Sequence, residues 1–326
     1  MAGLRTWRTP RSAEGPFPAR VEDIPALNEV FSDAFTERYR RDGMVGVRVP
    51  ALNPQIWRYA IEDAEDGAML WRGDRGEVAG FNVAHRSGTE GWMGPLAVRP
   101  ELQGHGLGKE VVRAGIDWLR RHEARTIGLE TMPRTMDNIG FYSTLGFVPG
   151  RLTLTLTIDA APADRPPALL GRLGARDRDE AMAECRALTH ALQPGLDFTR
   201  ELALTEQLAL GDTVLVRGAD GALAGFALCH SVPLVEGRVR EELRVLKLAL
   251  ADEQALPVLA RAVADFARRS GTRRAAFRVQ GGYEGLYRSL VAMRGRVRWS
   301  DLRMTLDGYP EGPVRPGGVV LSNWEI

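Results

Sequence analysis

Cysteine is nearly absent, with Cys185 and Cys229 the two in 326 residues. Two thiols without C-x-x-C spacing supply neither a disulfide framework nor a zinc site. Lysine is as scarce: Lys109 and Lys247 stand against 41 arginines. The five histidines (His85, His105, His122, His190, His230) are scattered and form no H-E-x-x-H pair. No metal is expected. Net charge is +1, and residues 1–160 carry 20 basic against 21 acidic side chains. Neither half therefore has the basic excess of a dedicated nucleic-acid binder. No apolar run reaches the roughly 18–20 residues that span a bilayer, and the arginine-bearing N-terminus lacks the apolar core of a secretory signal. The expected setting is cytoplasmic and reducing, with no nucleic-acid or membrane partner.

What is present is a repeat. Residues 68–85 (AMLWRGDRGEVAGFNVAH) and 213–230 (TVLVRGADGALAGFALCH) are identical at eight of eighteen positions at an offset of 145. Each copy reads as two β-type runs around a Gly-bearing turn, a hairpin. The same offset pairs Gly140 and Tyr142 with Gly285 and Tyr287. The length suits two domains of about 150 residues. The period-2 alternation of LTLTLTI (152–158) reads as a closing strand, and prolines 162, 166 and 167 mark a linker. Domains are expected over 1–160 and 172–326. Within the first, helices are expected over 21–41, 54–65, 109–124 and 136–146, and strands over 68–72, 77–85, 94–100, 126–132 and the final 147–158. The mixture, with its hairpins, predicts an α/β chain of the α+β kind, a mixed and mostly antiparallel sheet flanked by helices. Residues 309–318, rich in Pro and Gly, read as a surface excursion.

The sharpest local signal is Gln103-Gly104-His105-Gly106-Leu107-Gly108-Lys109, between a strand and an amphipathic helix. Glycines there let backbone approach a ligand, and the first amides of a helix lack intrahelical partners and favour negative charge. Together they make a pyrophosphate cradle, with Lys109 at its edge. A Walker loop is excluded, because Gln103 and Glu110 stand where Gly and Ser or Thr are needed. A dinucleotide fingerprint is excluded too, since the spacing is G-x-G-x-G. The plainer reading is a glycine-rich turn without a ligand.

The stretch LAVRPELQGHGLGKEVVRAGIDWL, followed about thirty residues on by NIGFYSTLGF, resembles the GNAT superfamily of acyl-CoA-dependent N-acetyltransferases. Gln103, Gly106 and Gly108 match the family's (Arg/Gln)-x-x-Gly-x-(Gly/Ala) loop, and Asn138, Tyr142, Gly146 and Phe147 match its later motif. The resemblance covers residues of about 20–158. It implies that Leu96, Ala97 and Val98 bind the pantetheine arm through their backbone, that amides from Gln103 to Lys109 hold the pyrophosphate, and that Asn138 contacts the arm. It also implies that Tyr142 protonates the leaving thiolate, in a direct transfer from acetyl-CoA, the co-substrate, to an amine. Tyr142 has a second reading as a core residue, since Tyr287 sits at its equivalent in the other copy. Glu130 is the candidate proton acceptor, with Glu90 and His85 as rivals and a salt-bridged carboxylate as the alternative. The acidic run Glu62, Asp63, Glu65 and Asp66 reads as a solvated helix end or an attractor of cationic amines, and Trp57, Tyr59, Trp71 and Trp92 as core or pocket.

The second copy has EQALPVLARAVADFARR where the glycine loop should be, and Tyr283 at the place of Asn138. It is expected to be a degenerate GNAT-like domain that shapes the acceptor cleft or imitates a dimer partner, in a chain that is a monomeric pseudo-dimer or a homodimer. The expected partner is a small-molecule amine. A peptide or protein acceptor, and a non-catalytic CoA-binding regulatory module, are the alternatives.

Overall fold

A computed structural model describes residues 13–324 of the chain; the arginine-bearing N-terminal stretch lies outside the described residues. The first copy runs β1 (Ala13–Pro18), α1 (Ile24–Arg41), α2 (Pro54–Ala64), β2 (Ala68–Gly73), β3 (Val78–Ser87), β4 (Glu90–Val98), α3 (Leu107–Arg121), β5 (Thr126–Thr131), α4 (Met136–Ser143) and β6 (Phe147–Asp159). The second repeats the order with β7 (Ala168–Leu169), α5 (Ala175–Leu192), α6 (Thr199–Gln207), β8 (Gly211–Arg217), β9 (Leu223–His230), β10 (Glu242–Leu250), α7 (Leu256–Arg269), β11 (Arg274–Gln280), α8 (Glu284–Ala292) and β12 (Arg296–Leu306). A strand beyond the repeat, β13 (Val319–Ser322), ends it.

Strand alternation separates two cores in the first copy. Leu70, Phe81 and Val83 pack under α1 and α2. Met69, Trp71, Ala79 and Ala84 pack under α3, whose Val111, Val112, Ile116 and Leu119 recur at helical spacing. Gly115 lets α3 lie close, because a Cβ there would stand 2.4 Å from the Asn82 amide and the Met93 sulfur. The second copy is layered alike, with α7 and α8 on one face and α5 and α6 on the other. Trp57, Tyr59 and Trp71 are core residues, and Trp92, also buried, lines a cavity described below.

The thirteen strands among the described residues form one sheet, in the order β1-β2-β3-β4-β5-β12-β6-β11-β10-β9-β8-β7, with β13 on β10. The two copies have exchanged their closing strands. β12 of the second copy lies between β5 and β6, with Leu302 opposite Thr131 and Thr305 opposite Gly128. β6 of the first lies against β11, from Thr153 opposite Gln280 to Asp159 opposite Arg274. The sheet is therefore continuous where the chain passes from one copy to the next.

Polar groups lock the seam. Lys247 is fully buried and donates to Ser87 Oγ (3.2 Å) and Ser322 Oγ (3.3 Å), with Glu201 Oε1 at 3.6 Å and the Trp324 ring centroid at 3.3 Å. A buried ammonium needs such partners to persist. The acidic run is also consumed by structure. Arg200 of α6 pairs with Glu65 and Asp63, Glu62 pairs with Arg58, and Asp66 accepts from Trp118 Nε1. It joins the halves and caps local structure instead of facing an acceptor.

Candidate active site

The site forms where two parallel strands part. β4 and β5 pair from Glu90 opposite Thr126 to Met93 opposite Leu129, and there the pairing stops. A bulge sets Gly94 and Pro95 against Val83 alone, bending β4 away toward Val98. Leu96, Ala97 and Val98 thus turn an edge with no strand beside it to a cleft of about 420 Å³, which they line.

The glycine loop closes one end of that cleft. Gly104 and Gly106 sit at φ of +83° and +96°, in the left-handed region, with nothing within 4 Å of an added Cβ. They are needed for backbone conformation, not for room. Gly108 is different: a Cβ there would stand 3.5 Å from the Phe141 ring, on the cleft wall. The first bonds of α3 run from the amides of Lys109 and Glu110 to the Gly106 carbonyl, so the helix does not take up the preceding amides. Gln103 ties the loop to β4 through Nε2 on the Val98 carbonyl (3.0 Å). Glu110 anchors the helix start by accepting from Trp71 Nε1 (2.7 Å). Lys109, Arg41 and Arg38 bring positive charge to the cleft. His105 is exposed and does not line it; Leu107 turns into the core beneath α3. The donor set, of loop amides at a helix start, nearby cations and an unpaired strand edge, fits a diphosphate carrying an extended amide-bearing arm.

A second cavity of about 460 Å³ opens beyond the first, and Asn138, Tyr142, Leu96, Phe35 and Arg38 line both. Tyr142 therefore stands at the junction. Its side chain is buried, and burial pushes the phenol up to about 12, so the proton stays on oxygen at neutral pH. Asn138, near Thr131 Oγ1 at 3.5 Å, is beside it.

About a third of the residues lining the second cavity come from the second copy. Arg244 and Leu246 of β10, Arg278 of β11, Trp299 and Asp301 of β12, and Trp324 face Trp92, Glu130 and Tyr39 of the first. Of the two readings of Glu130, proton acceptor or salt-bridged carboxylate, the geometry has the second: its carboxylate is engaged at both oxygens. Oε1 accepts from Thr153 Oγ1 (2.6 Å) and Arg303 Nη1 (3.0 Å), and Oε2 pairs with Arg278. Burial works to raise this carboxyl, but Arg278 and Arg303, with Thr153, outweigh it and hold it below the usual range. The rivals stand behind the cavity wall instead of lining it. His85 is fixed between Asp63 Oδ2 (3.1 Å) and the Gly94 carbonyl (3.0 Å), stacked on Trp324, whereas Glu90 is buried with Arg303 4.0 Å away and no hydrogen-bond partner at Oε2. The sequence singled out none of Arg278, Trp299, Asp301 and Trp324. They reach the site only through the strand exchange, which has no local signature.

In the second copy the equivalent parting is filled. β10 and β11 pair from Glu242 opposite Arg274 to Val245 opposite Phe277, and then β13 takes the vacated edge of β10, from Lys247 opposite Ser322 to Leu250 opposite Val319. The Tyr283 hydroxyl, in the place of Asn138, accepts from the Val320 amide (3.1 Å). The expected surface excursion over 309–318 leads into this strand and is tied down, with the Glu253 amide on the Gly317 carbonyl (2.7 Å) and Arg120 over the Tyr309 ring. Among the described residues no group of histidine, cysteine and carboxylate side chains is arranged to hold a metal, and no helix is long and apolar enough to cross a membrane.

Comparison with known proteins agrees with this geometry. Residues 25–147 match the model of the acetyltransferase (GNAT) family. A protein of Bacillus subtilis (strain 168), named for N-acetylation of alanine on ribosomal protein bS18, is 24% identical over 131 residues, covering 40% of this chain and 78% of its own. A GCN5-related N-acetyltransferase from Sphaerobacter thermophilus superposes with a TM-score of 0.57 at 20% identity, covering 96% of this chain and 98% of its own. A tandem GNAT protein from the clavulanic acid biosynthesis pathway superposes with a TM-score of 0.59 at 14% identity, covering 92% and 100%. The first copy, with the glycine loop and the parted strands in place, is thus similar to the acetyltransferase (GNAT) family over residues 25–147, and the whole chain carries that fold in tandem form.

Proposed function

We propose that the chain moves an acetyl group from acetyl-CoA directly to the primary amine of a small molecule, in a cytoplasmic setting suited to its two unpaired buried thiols. The observation that carries this reading is the position of Tyr142, which lines both the cleft with the glycine loop and the cavity walled by both copies. Acetyl-CoA supplies an activated thioester. The residues over 1–160 bind it: the free edge of β4 at 96–98 and Asn138 receive the pantetheine arm, and the loop amides with Lys109 and Arg41 receive the phosphates. Tyr142 holds a proton where the sulfur leaves, and a phenol that stays protonated to about 12 keeps that proton until a thiolate develops. The residues over 172–326 act with the first copy as one unit by completing the acceptor cavity.

A small acceptor is supported by the size of the cavity, about 460 Å³, and by its walls on the second-copy side, Arg244, Arg278 and Trp324. An N-terminal alanine of a protein is the second reading, supported by the name of the Bacillus relative. Tyr142→Phe tests the assignment. We expect thiol release from acetyl-CoA to fall by about 10²-fold, the lower end for a positioned general acid, with acetyl-CoA affinity changed less than about twofold. An unchanged rate would remove Tyr142 from the chemistry.

A further inference from the structure

The acceptor cavity holds two carboxylates that share one guanidinium. Arg278 Nη2 of β11 pairs with Glu130 Oε2 of β5 and with Asp301 Oδ2 of β12, the latter at 3.1 Å. Side chains alternate along strands, so Asp301 and Arg303 fall on the face that carries Glu130, beside Thr153 of β6. Glu130 then takes Arg303 and Thr153 as further partners, whereas Asp301 has only the Trp299 indole N–H (3.0 Å) besides the shared arginine. Glu130, Asp301 and Tyr142 line one cavity. Two carboxylates in one site with unequal partners divide the labour, one staying ionised and the other exchanging a proton.

We propose that Asp301, brought into the first copy's site by the exchanged strand β12, is the group that takes the proton of the acceptor amine. The assignment rests on the acetyltransferase reading. In the step it completes, the amine nitrogen forms a bond to the thioester carbon as the C–S bond breaks. The departing N–H proton goes to an Asp301 carboxylate oxygen, and the leaving sulfur takes the proton of the Tyr142 hydroxyl. The proton on Asp301 then returns to the Tyr142 oxygen through solvent, which resets both groups. Glu130 is a positioning residue, holding Arg278 so that Asp301 faces the cavity. The groups around Asp301 agree. Burial raises its carboxyl above the ordinary range, Arg278 pulls the other way, Glu130 adds to the rise, and Tyr39 of α1 lies within reach of its charge.

The test uses the full chain, with tyramine and alaninamide as amine probes, thiol release from acetyl-CoA as the rate, and calorimetry for acetyl-CoA binding. Wild type is expected to lose rate as pH falls through a group above the ordinary Asp range, because the acceptor must be ionised to work. Asp301→Asn is expected to lose about 10²-fold in rate, typical for loss of a general base, together with that acid limb, at unchanged acetyl-CoA affinity. Asp301→Glu should restore part of the rate, and Glu130→Gln should keep the acid limb. The assignment is overturned if Asp301→Asn keeps rate and limb, or if Glu130→Gln abolishes the limb. Should wild type bind acetyl-CoA yet release no thiol with either probe, carbon-13 carboxyl resonances of wild type and Asp301→Asn decide: Asp301 titrating at or below the ordinary range overturns it. Absence of acetyl-CoA binding would instead overturn the acetyltransferase reading, and this assignment with it.

Discussion

The same parting of two parallel strands occurs twice in this molecule and is used in opposite ways. Between β4 and β5 it is an open cleft with an unpaired edge at Leu96–Val98 (96–98), beside a glycine loop. Between β10 and β11 it is closed by the chain's own β13, and a helix begins at Leu256 where the loop would be. Backbone hydrogen bonds account for both arrangements. A strand edge inside a sheet needs a partner, and in the second copy Val319–Ser322 supplies one permanently. In the first copy, the edge remains available to an extended ligand. In this molecule the copy without the glycine loop is the one whose parting is filled by an internal strand.

The largest break in this comparison should come at the loop. Gly106→Val puts a β-branched residue at φ +96°, which costs about 1–3 kcal/mol. We expect the dissociation constant for acetyl-CoA to rise by roughly tenfold or more, since the strain falls where the amides must be aimed. Calorimetry of the variant checks this, and unchanged affinity would detach the loop from CoA binding. A smaller effect is expected in the filled copy. Tyr283→Phe removes the acceptor of the Val320 amide, a loss of about 1 kcal/mol for one hydrogen bond. Denaturant unfolding should register that loss while acetyl-CoA affinity stays the same. A drop in affinity would mean that the second copy's slot communicates with the first.

Much of the first copy is legible in the residues. The hairpin, the glycine loop, the amphipathic helix and the Asn138–Tyr142 spacing are local patterns, and each appears where its periodicity or turn chemistry places it. The repeat foretold a second copy with the same element order. Three features were not legible, for physical reasons. LTLTLTI alternates as a strand should, but alternation says nothing of its neighbour, and β6 pairs with β11 and β12 instead of closing a sheet of its own. β1 carries Pro16 and Pro18, which argue against a strand, and it is an edge strand, where proline is tolerated. β13 is four residues long after a Pro- and Gly-rich stretch, too short for a period to show.

The site divides the same way. The cleft beside β4 is sequence-local, and Gln103, Gly104, Gly106, Gly108, Lys109 and Asn138 all line it. The second cavity is assembled from β5, β10, β11 and β12, and its chemistry depends on which strands meet. Glu130 illustrates the consequence. Its alternation placed it toward a cleft, but only the fold brings Arg278 and Arg303 to it. Lys247 is a similar case: one of two lysines, it serves the seam between copies and not the loop.

The central claim is that one copy is open to acetyl-CoA and the other is filled by its own strand. Titration of the full chain with acetyl-CoA in a calorimeter tests it most directly. One site per chain is predicted, accompanied at about 100 times the dissociation constant by roughly 2.7 kcal/mol of added stability. Two sites would show that β13 yields its place to the ligand, and no site would show that the open cleft of the first copy is not a CoA cleft.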